Sequence, residues 1–144
     1  MSRATRPTPP DRQSAPGRAF FVAVTGFGSK KNTYGIGRRK RGGGRGIFLS
    51  ARAKAVQKRL IDEISAAWLL RPPTDRKPFE YPISIRLTLA KNAKMDVDNA
   101  AGHPLDCLVK CGVLRDDGRK DVVRLIVERD IADTNTIHVR EIRP

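Results

Sequence analysis

The chain has 144 residues, with 29 Lys and Arg against 15 Asp and Glu, for a formal charge of +14 at pH 7. That length supports one core, and so large an excess of one sign calls for a polyanionic partner. No stretch approaches the ~20 apolar residues of a membrane span, and the N-terminus lacks an apolar signal-peptide core, so no membrane association and a cytoplasmic location are expected.

Residues 1–17 carry four prolines, several Ser and Thr and scattered Arg with no apolar period, which reads as a disordered basic tail preceding a domain over 18–144. Ala19 to Val24 has the aromatic and β-branched content of a buried strand, closed by Gly26 and Gly28. Gly28 to Lys54 holds nine basic residues, no acidic one and six closely spaced glycines, so a mobile basic loop is expected over about 28–46. Ile47 to Leu49 reads as a short second strand pairing back on the first. Ser50 is then placed to cap a helix in which Val56, Leu60, Ile64 and Trp68 recur every four residues, until Arg71-Pro72-Pro73 stops it. Trp68 at that spacing is a core residue.

Tyr81 to Leu89 alternates, with Ile83, Ile85, Leu87 and Leu89 on one face and Ser84, Arg86 and Thr88 on the other, as a half-buried strand does. A second helix carries Leu105, Leu108 and Val109 and ends at Gly112, a residue suited to the position after a helix C-cap. Val122 to Glu128 and Thr136 to Ile142 read as two further strands. The expected class is α+β, a small mixed β-sheet with two packed helices.

Two groups of residues carry chemistry. Lys30, Lys31, Arg38, Arg39, Lys40, Arg41 and Arg45 can each approach a phosphate on a flexible backbone, and ordering on the ligand is expected. Asp96 and Asp98, two apart on an extended segment, point to one side and place two carboxylates within reach of one hard cation, with Asp117 or its neighbour Asp116 as a third ligand. The same spacing also fits an ordinary Asp/Asn turn in which Asp98 or Asn99 caps the following helix. Lys94 and Lys91 are the cations nearest the acidic pair. His103, Cys107 and Cys111 share a helix face, but eight residues of helix rise about 12 Å, too far for one zinc ion. Reduced thiols are expected, and His103 remains an accessory candidate, as a proton carrier or phosphate contact.

The order Asp96-Val-Asp98-Asn99, a helix with Asp106 and Leu108, Gly112, then Asp116-Asp117 resembles the RusA family of Holliday-junction resolvases, and the resemblance spans roughly residues 19 to 142. It implies a homodimeric, magnesium-dependent endonuclease (manganese serving in its place) that nicks four-way DNA junctions symmetrically and uses no small-molecule cofactor. It also implies that Asp96, Asp98 and Asp117 are the catalytic metal ligands, with Asp116 beside them. The ion would polarise a phosphate oxygen and activate a water for in-line attack, and a two-fold junction calls for two sites related by a dimer axis. The sequence departs from the family in three places. Gly102 stands where the family has a lysine, Pro104 removes an amide from the start of the helix, and Met95 replaces a basic residue. The competing expectation is a non-catalytic basic DNA- or RNA-binding module, or a degenerate nuclease that binds without cutting.

Overall fold

The computed structural model of the chain describes residues 17–28, 34–38, 45–97, 100–118 and 121–142. The elements run β1 (Ala19–Val24), β2 (Tyr34–Arg38), β3 (Arg45–Leu49), α1 (Ala51–Leu69), β4 (Ile83–Leu89), α2 (Gly102–Lys110), β5 (Val122–Arg129) and β6 (Asn135–Glu141). Four strands form a sheet in the order β1-β6-β4-β5, with β4 and β5 parallel and the other two pairings antiparallel. Together with the two helices this is the expected mixed α+β architecture. The proposed tail lies almost wholly outside the described residues.

The sheet forms where the alternation predicts it. β1 buries Phe20, Val22 and Val24 and exposes Phe21, so this edge strand is buried on one face only. In β4, Ile83, Ile85, Leu87 and Leu89 are fully shut off from solvent, each contributing roughly 1.5–3 kcal/mol of burial. Ser84 and Thr88 on its other face are nearly as buried, because β4 is a central strand with β5 and β6 crowding both sides.

α1 begins at the expected place, since the Ser50 hydroxyl accepts a hydrogen bond from the Ala53 amide at 3.1 Å. Leu60, Ile64 and Trp68 form its inner stripe, and Trp68 meets Phe20 edge to face at 5.2 Å between ring centroids. α2 packs against α1. It closes in a Schellman turn: Gly112 has φ +77°, its amide donates to Val109 O, and the Val113 amide donates to Leu108 O. Pro104 falls in the first turn, where amides have no partner inside the helix, and the first helical bond runs from the Leu105 amide to Ala101 O. The Ala101 N-cap makes no side-chain capping bond.

One expectation fails outright. β3 does not pair back on β1. It forms a separate antiparallel two-stranded sheet with β2, in the register Tyr34↔Leu49 to Arg38↔Arg45, while β1 pairs with β6. The expected loop over 28–46 therefore contains a strand at Tyr34–Arg38 and the start of another at Arg45. Tyr34 and Ile36 alternate with glycines opposite the Ile47 to Leu49 step, a weak two-residue period that the density of glycine and arginine hides.

Candidate metal and nucleic-acid site

Asp96 lies just beyond the end of β4, in the long connection to α2. The segment before it is tied down by Arg129, the last residue of β5, whose guanidinium donates to Ala93 O at 2.6 Å and Met95 O at 2.7 Å. Asn135, at the start of β6, adds a second tie: its side chain accepts from the Ala90 amide at 2.9 Å and donates to Thr25 O at 3.0 Å. Four strand ends, of β1, β4, β5 and β6, are thereby fastened to one another under the acidic segment.

Asp96 opens onto a cleft of about 490 Å³ whose other walls are residues 25–28, Arg52, residues 93–95 and Asn135. α1 holds the opposite wall: Glu63 accepts from the Thr25 amide at 2.7 Å and Arg59 donates to Gly26 O at 3.2 Å. Gly28 (φ +66°) sits so close to Val56 that a Cβ there would collide with it, so the chain leaves the cleft through this glycine and enters the basic stretch. Lys94 and Arg52 are exposed and bring two cations to the cleft. Arg52 reads from sequence only as the solvent side of a helix, and nothing local marks Arg129 or Asn135, since each acts on a segment distant along the chain.

Among the expected ligands, Asp98 lies outside the described residues, with Asn99. Asp116 and Asp117 are exposed in the loop between α2 and β5, where Asp116 Oδ1 accepts from the Asp117 amide at 2.8 Å. The next carboxylate, Asp121, is buried and bonded to Arg115 at 2.6 Å. It marks the entry to β5, and its carbonyl accepts from the Ile83 amide at the start of β4.

That placement separates the expected ligands within one chain. β4 and β5 are parallel, so the connection carrying Asp96 leaves one end of the pair and the loop carrying Asp117 enters at the other. The seven residues of β4 span roughly 20 Å at about 3.3 Å per residue. The expectation that Asp117 joins Asp96 inside a single protomer is not met, because a parallel crossover puts its two loops at opposite ends of the sheet. Among the described residues no three His, Cys, Asp or Glu side chains converge.

The basic candidates divide similarly. Arg38 and Arg45 face one another in register at the end of the β2–β3 hairpin. Lys30, Lys31, Arg39, Lys40 and Arg41 lie outside the described residues. His103 is fully buried between the helices, with its Nδ1 at 3.1 Å from Gln57 Nε2, and Lys110 donates to the Oε1 of the same glutamine at 2.9 Å. Its surroundings are those of a packed residue joining α1 to α2. Cys107 and Cys111 are free thiols facing α1, and burial pushes the Cys111 thiol above its ordinary value, opposed by a hydrogen bond from Ser65 and reinforced by Asp62.

No family model matches the chain, and no curated protein matches it. Asp62, Glu63, Asp75, Asp121, Glu128, Asp133 and Glu141 each form an ion pair with Lys or Arg. Asp96, Asp116 and Asp117 form none among the described residues, and neither do the exposed Glu80 and Asp130, in a chain where cations outnumber acids almost two to one. Exposed carboxylates with free acceptor oxygens suit a hard divalent cation, magnesium or manganese, better than they suit a soft one. No helix among the described residues is long and apolar enough to cross a membrane.

Proposed function

We propose that this protein is a magnesium-dependent, structure-specific endodeoxyribonuclease of the RusA type, acting as a homodimer on four-way DNA junctions. The observation that carries the reading is the exposed Asp96 carboxylate, without an ion-pair partner among the described residues, in a cleft flanked by Arg52 and Lys94. A site for a phosphodiester needs both elements, oxygen ligands for the ion and cations for the non-bridging phosphate oxygens.

Asp96, Asp98 and Asp117 are the proposed ligands, with Asp116 adjacent. A bound magnesium ion supplies Lewis acidity at the scissile phosphate. Arg52 and Lys94 orient the phosphate, and Lys94 or Lys91 stands in for the basic residue that Met95 replaces. Arg129 and Asn135 hold the acidic segment still, which lowers the ordering cost of binding. The basic residues from Lys30 to Arg45 grip the flanking strands without reading sequence.

The test is Asp98→Asn assayed on labelled four-way junction with magnesium or chelator. The expected result is junction binding intact or tighter, with metal-dependent nicking abolished. A variant that nicks at the wild-type rate removes Asp98 from the site. The second reading, a binding module without cutting, draws on Gly102 and Pro104 in the first turn of α2. It predicts that wild-type protein binds the junction but leaves it uncut at every magnesium and manganese concentration.

A further inference from the structure

The two faces of the sheet are unlike. One packs Ile83, Ile85, Leu87 and their neighbours against the helices. On the other, the strand registers set Phe21 of β1 beside His138 of β6, His138 beside Arg86 of β4, and Arg86 beside Ile126 of β5. The adjacent row places Arg140 of β6 and Arg124 of β5 on either side of Ser84. Phe21 is 63% exposed and the Arg86 side chain 51%, so no described element covers the middle of this face. His138 meets the Phe21 ring edge to face, with centroids 6.1 Å apart, and the phenyl ring stays largely open to solvent.

Such a face suits a polyanion that carries flat, unpaired rings. Along these strands it presents three arginines and one acid, Glu128, which reaches Arg86 at 3.5 Å, so it attracts phosphate. Arginine alone would serve any nucleic acid. The exposed phenylalanine narrows the choice, because a duplex keeps its base faces inside its own stack, whereas a single strand can lay one on an aromatic side chain. Phe21 and Arg124 lie on the two outer strands, and three strand spacings of about 4.8 Å separate them by roughly 14 Å across the sheet. A strand crossing in that direction rests a base on Phe21 and brings the phosphates that follow to Arg86 and Arg124. Ser84 and Thr88, the hydroxyls at the centre of the face, are nearly buried, so they are not presented to a ribose 2′-hydroxyl, the group that marks RNA.

We propose that this open sheet face binds single-stranded DNA, with a base stacked on Phe21 and phosphates held by Arg86, Arg124 and Arg140. None of these residues lines the acidic cleft, so the site is separate from the proposed metal centre and does not rest on the nuclease reading. It gives the chain a second nucleic-acid contact. This one recognises a strand by its unstacked bases, where the basic residues from Lys30 to Arg45 answer to phosphate charge alone.

Fluorescence anisotropy with labelled oligo-dT, oligo-U of the same length and a blunt duplex tests it. Phe21→Ala should weaken oligo-dT binding about 5- to 150-fold and leave duplex binding unchanged, while Phe21→Tyr should keep most of the affinity. Arg124→Ala should lower the slope of log affinity against log salt by about 0.7 for oligo-dT. In Phe21→Trp the added indole is exposed, unlike the buried Trp68, and oligo-dT should quench its emission. Phe21 lies on the surface, so thermal unfolding of these variants should match the wild type closely. If Phe21→Ala binds oligo-dT as the wild type does, or loses duplex binding in equal measure, the platform is overturned. Oligo-U bound more tightly than oligo-dT overturns DNA as the ligand. A wild-type dimer that Phe21→Glu splits into monomers, with oligo-dT affinity unchanged, makes the face a contact between copies of the chain and overturns the proposal as well.

Discussion

Arg129 offers a test of how the acidic segment is positioned without touching the proposed ligands. Its guanidinium makes two short hydrogen bonds, to Ala93 O at 2.6 Å and Met95 O at 2.7 Å, with a longer one to Ala90 O at 3.4 Å. Hydrogen bonds to a charged donor contribute ~1.5–3 kcal/mol when shielded. The two short ones are exposed, so about 0.5–1 kcal/mol each is the better figure, or ~1–2 kcal/mol for the pair. In Arg129→Ala that energy is lost from the ordered state of the 93–96 segment. Because apparent affinity scales with the population of the competent state, the binding of Mn2+ should weaken by up to about 5–30-fold. Arg129→Lys keeps one charge but loses the fork, and should fall between the two. Titration of Mn2+ by calorimetry gives the affinity, and amide hydrogen exchange at residues 93–97 gives the ordering independently of any metal. If exchange in that segment and Mn2+ affinity both match the wild type, Arg129 does not position the acidic segment.

Removing the cap with Ser50→Ala should cost about 1 kcal/mol and lower Tm by a few degrees, while Ser50→Asp should retain most of the stability; thermal unfolding followed by circular dichroism checks both. Burial raises the Cys111 thiol above its ordinary 9.0, so the folded chain keeps a proton that the unfolded chain releases. Stability from this group is therefore whole below about pH 9 and is lost as pH climbs from there through the raised folded value. Urea unfolding between pH 7 and 10 should show a steeper decline in the wild type than in Cys111→Ser. Junction affinity should fall roughly a thousandfold or more between 50 and 200 mM salt if six or more basic residues from Lys30 to Arg45 contact phosphates. A shallow salt slope would remove that stretch from the interface.

The parts of this fold legible in the sequence are those where local period and local chemistry agree. α1 shows its four-residue apolar recurrence, its Ser50 cap and its Pro72-Pro73 stop, and β4 its strict alternation. α2 announces its end through Gly112. The β2–β3 hairpin was hidden because Tyr34 and Ile36 are its only apolar residues on one side, between glycines. Strand pairing was less legible still: that β1 bonds to β6, more than a hundred residues away, leaves no local trace. For the same reason the motif of Asp96, Asp98 and Asp117 was readable while its geometry was not. Spacing in a chain does not say whether the crossover between two carboxylates returns to the same end of a sheet.

A protein that only gripped nucleic acid would gain nothing from the exposed Asp96 carboxylate in a cleft lined by Arg52 and Lys94, because it repels the phosphates that those cations attract. Several acids elsewhere are neutralised by arginine: Asp75 meets both Arg18 and Arg71, and Asp121 is buried against Arg115. Lys94 is two residues from Asp96 and lines the same cleft, yet makes no ion pair with it among the described residues. Such an arrangement is unfavourable for anion binding until a cation is shared between carboxylate and phosphate. That requirement makes metal dependence of phosphate binding at the cleft, more than overall DNA affinity, the property that separates a nuclease from a basic scaffold.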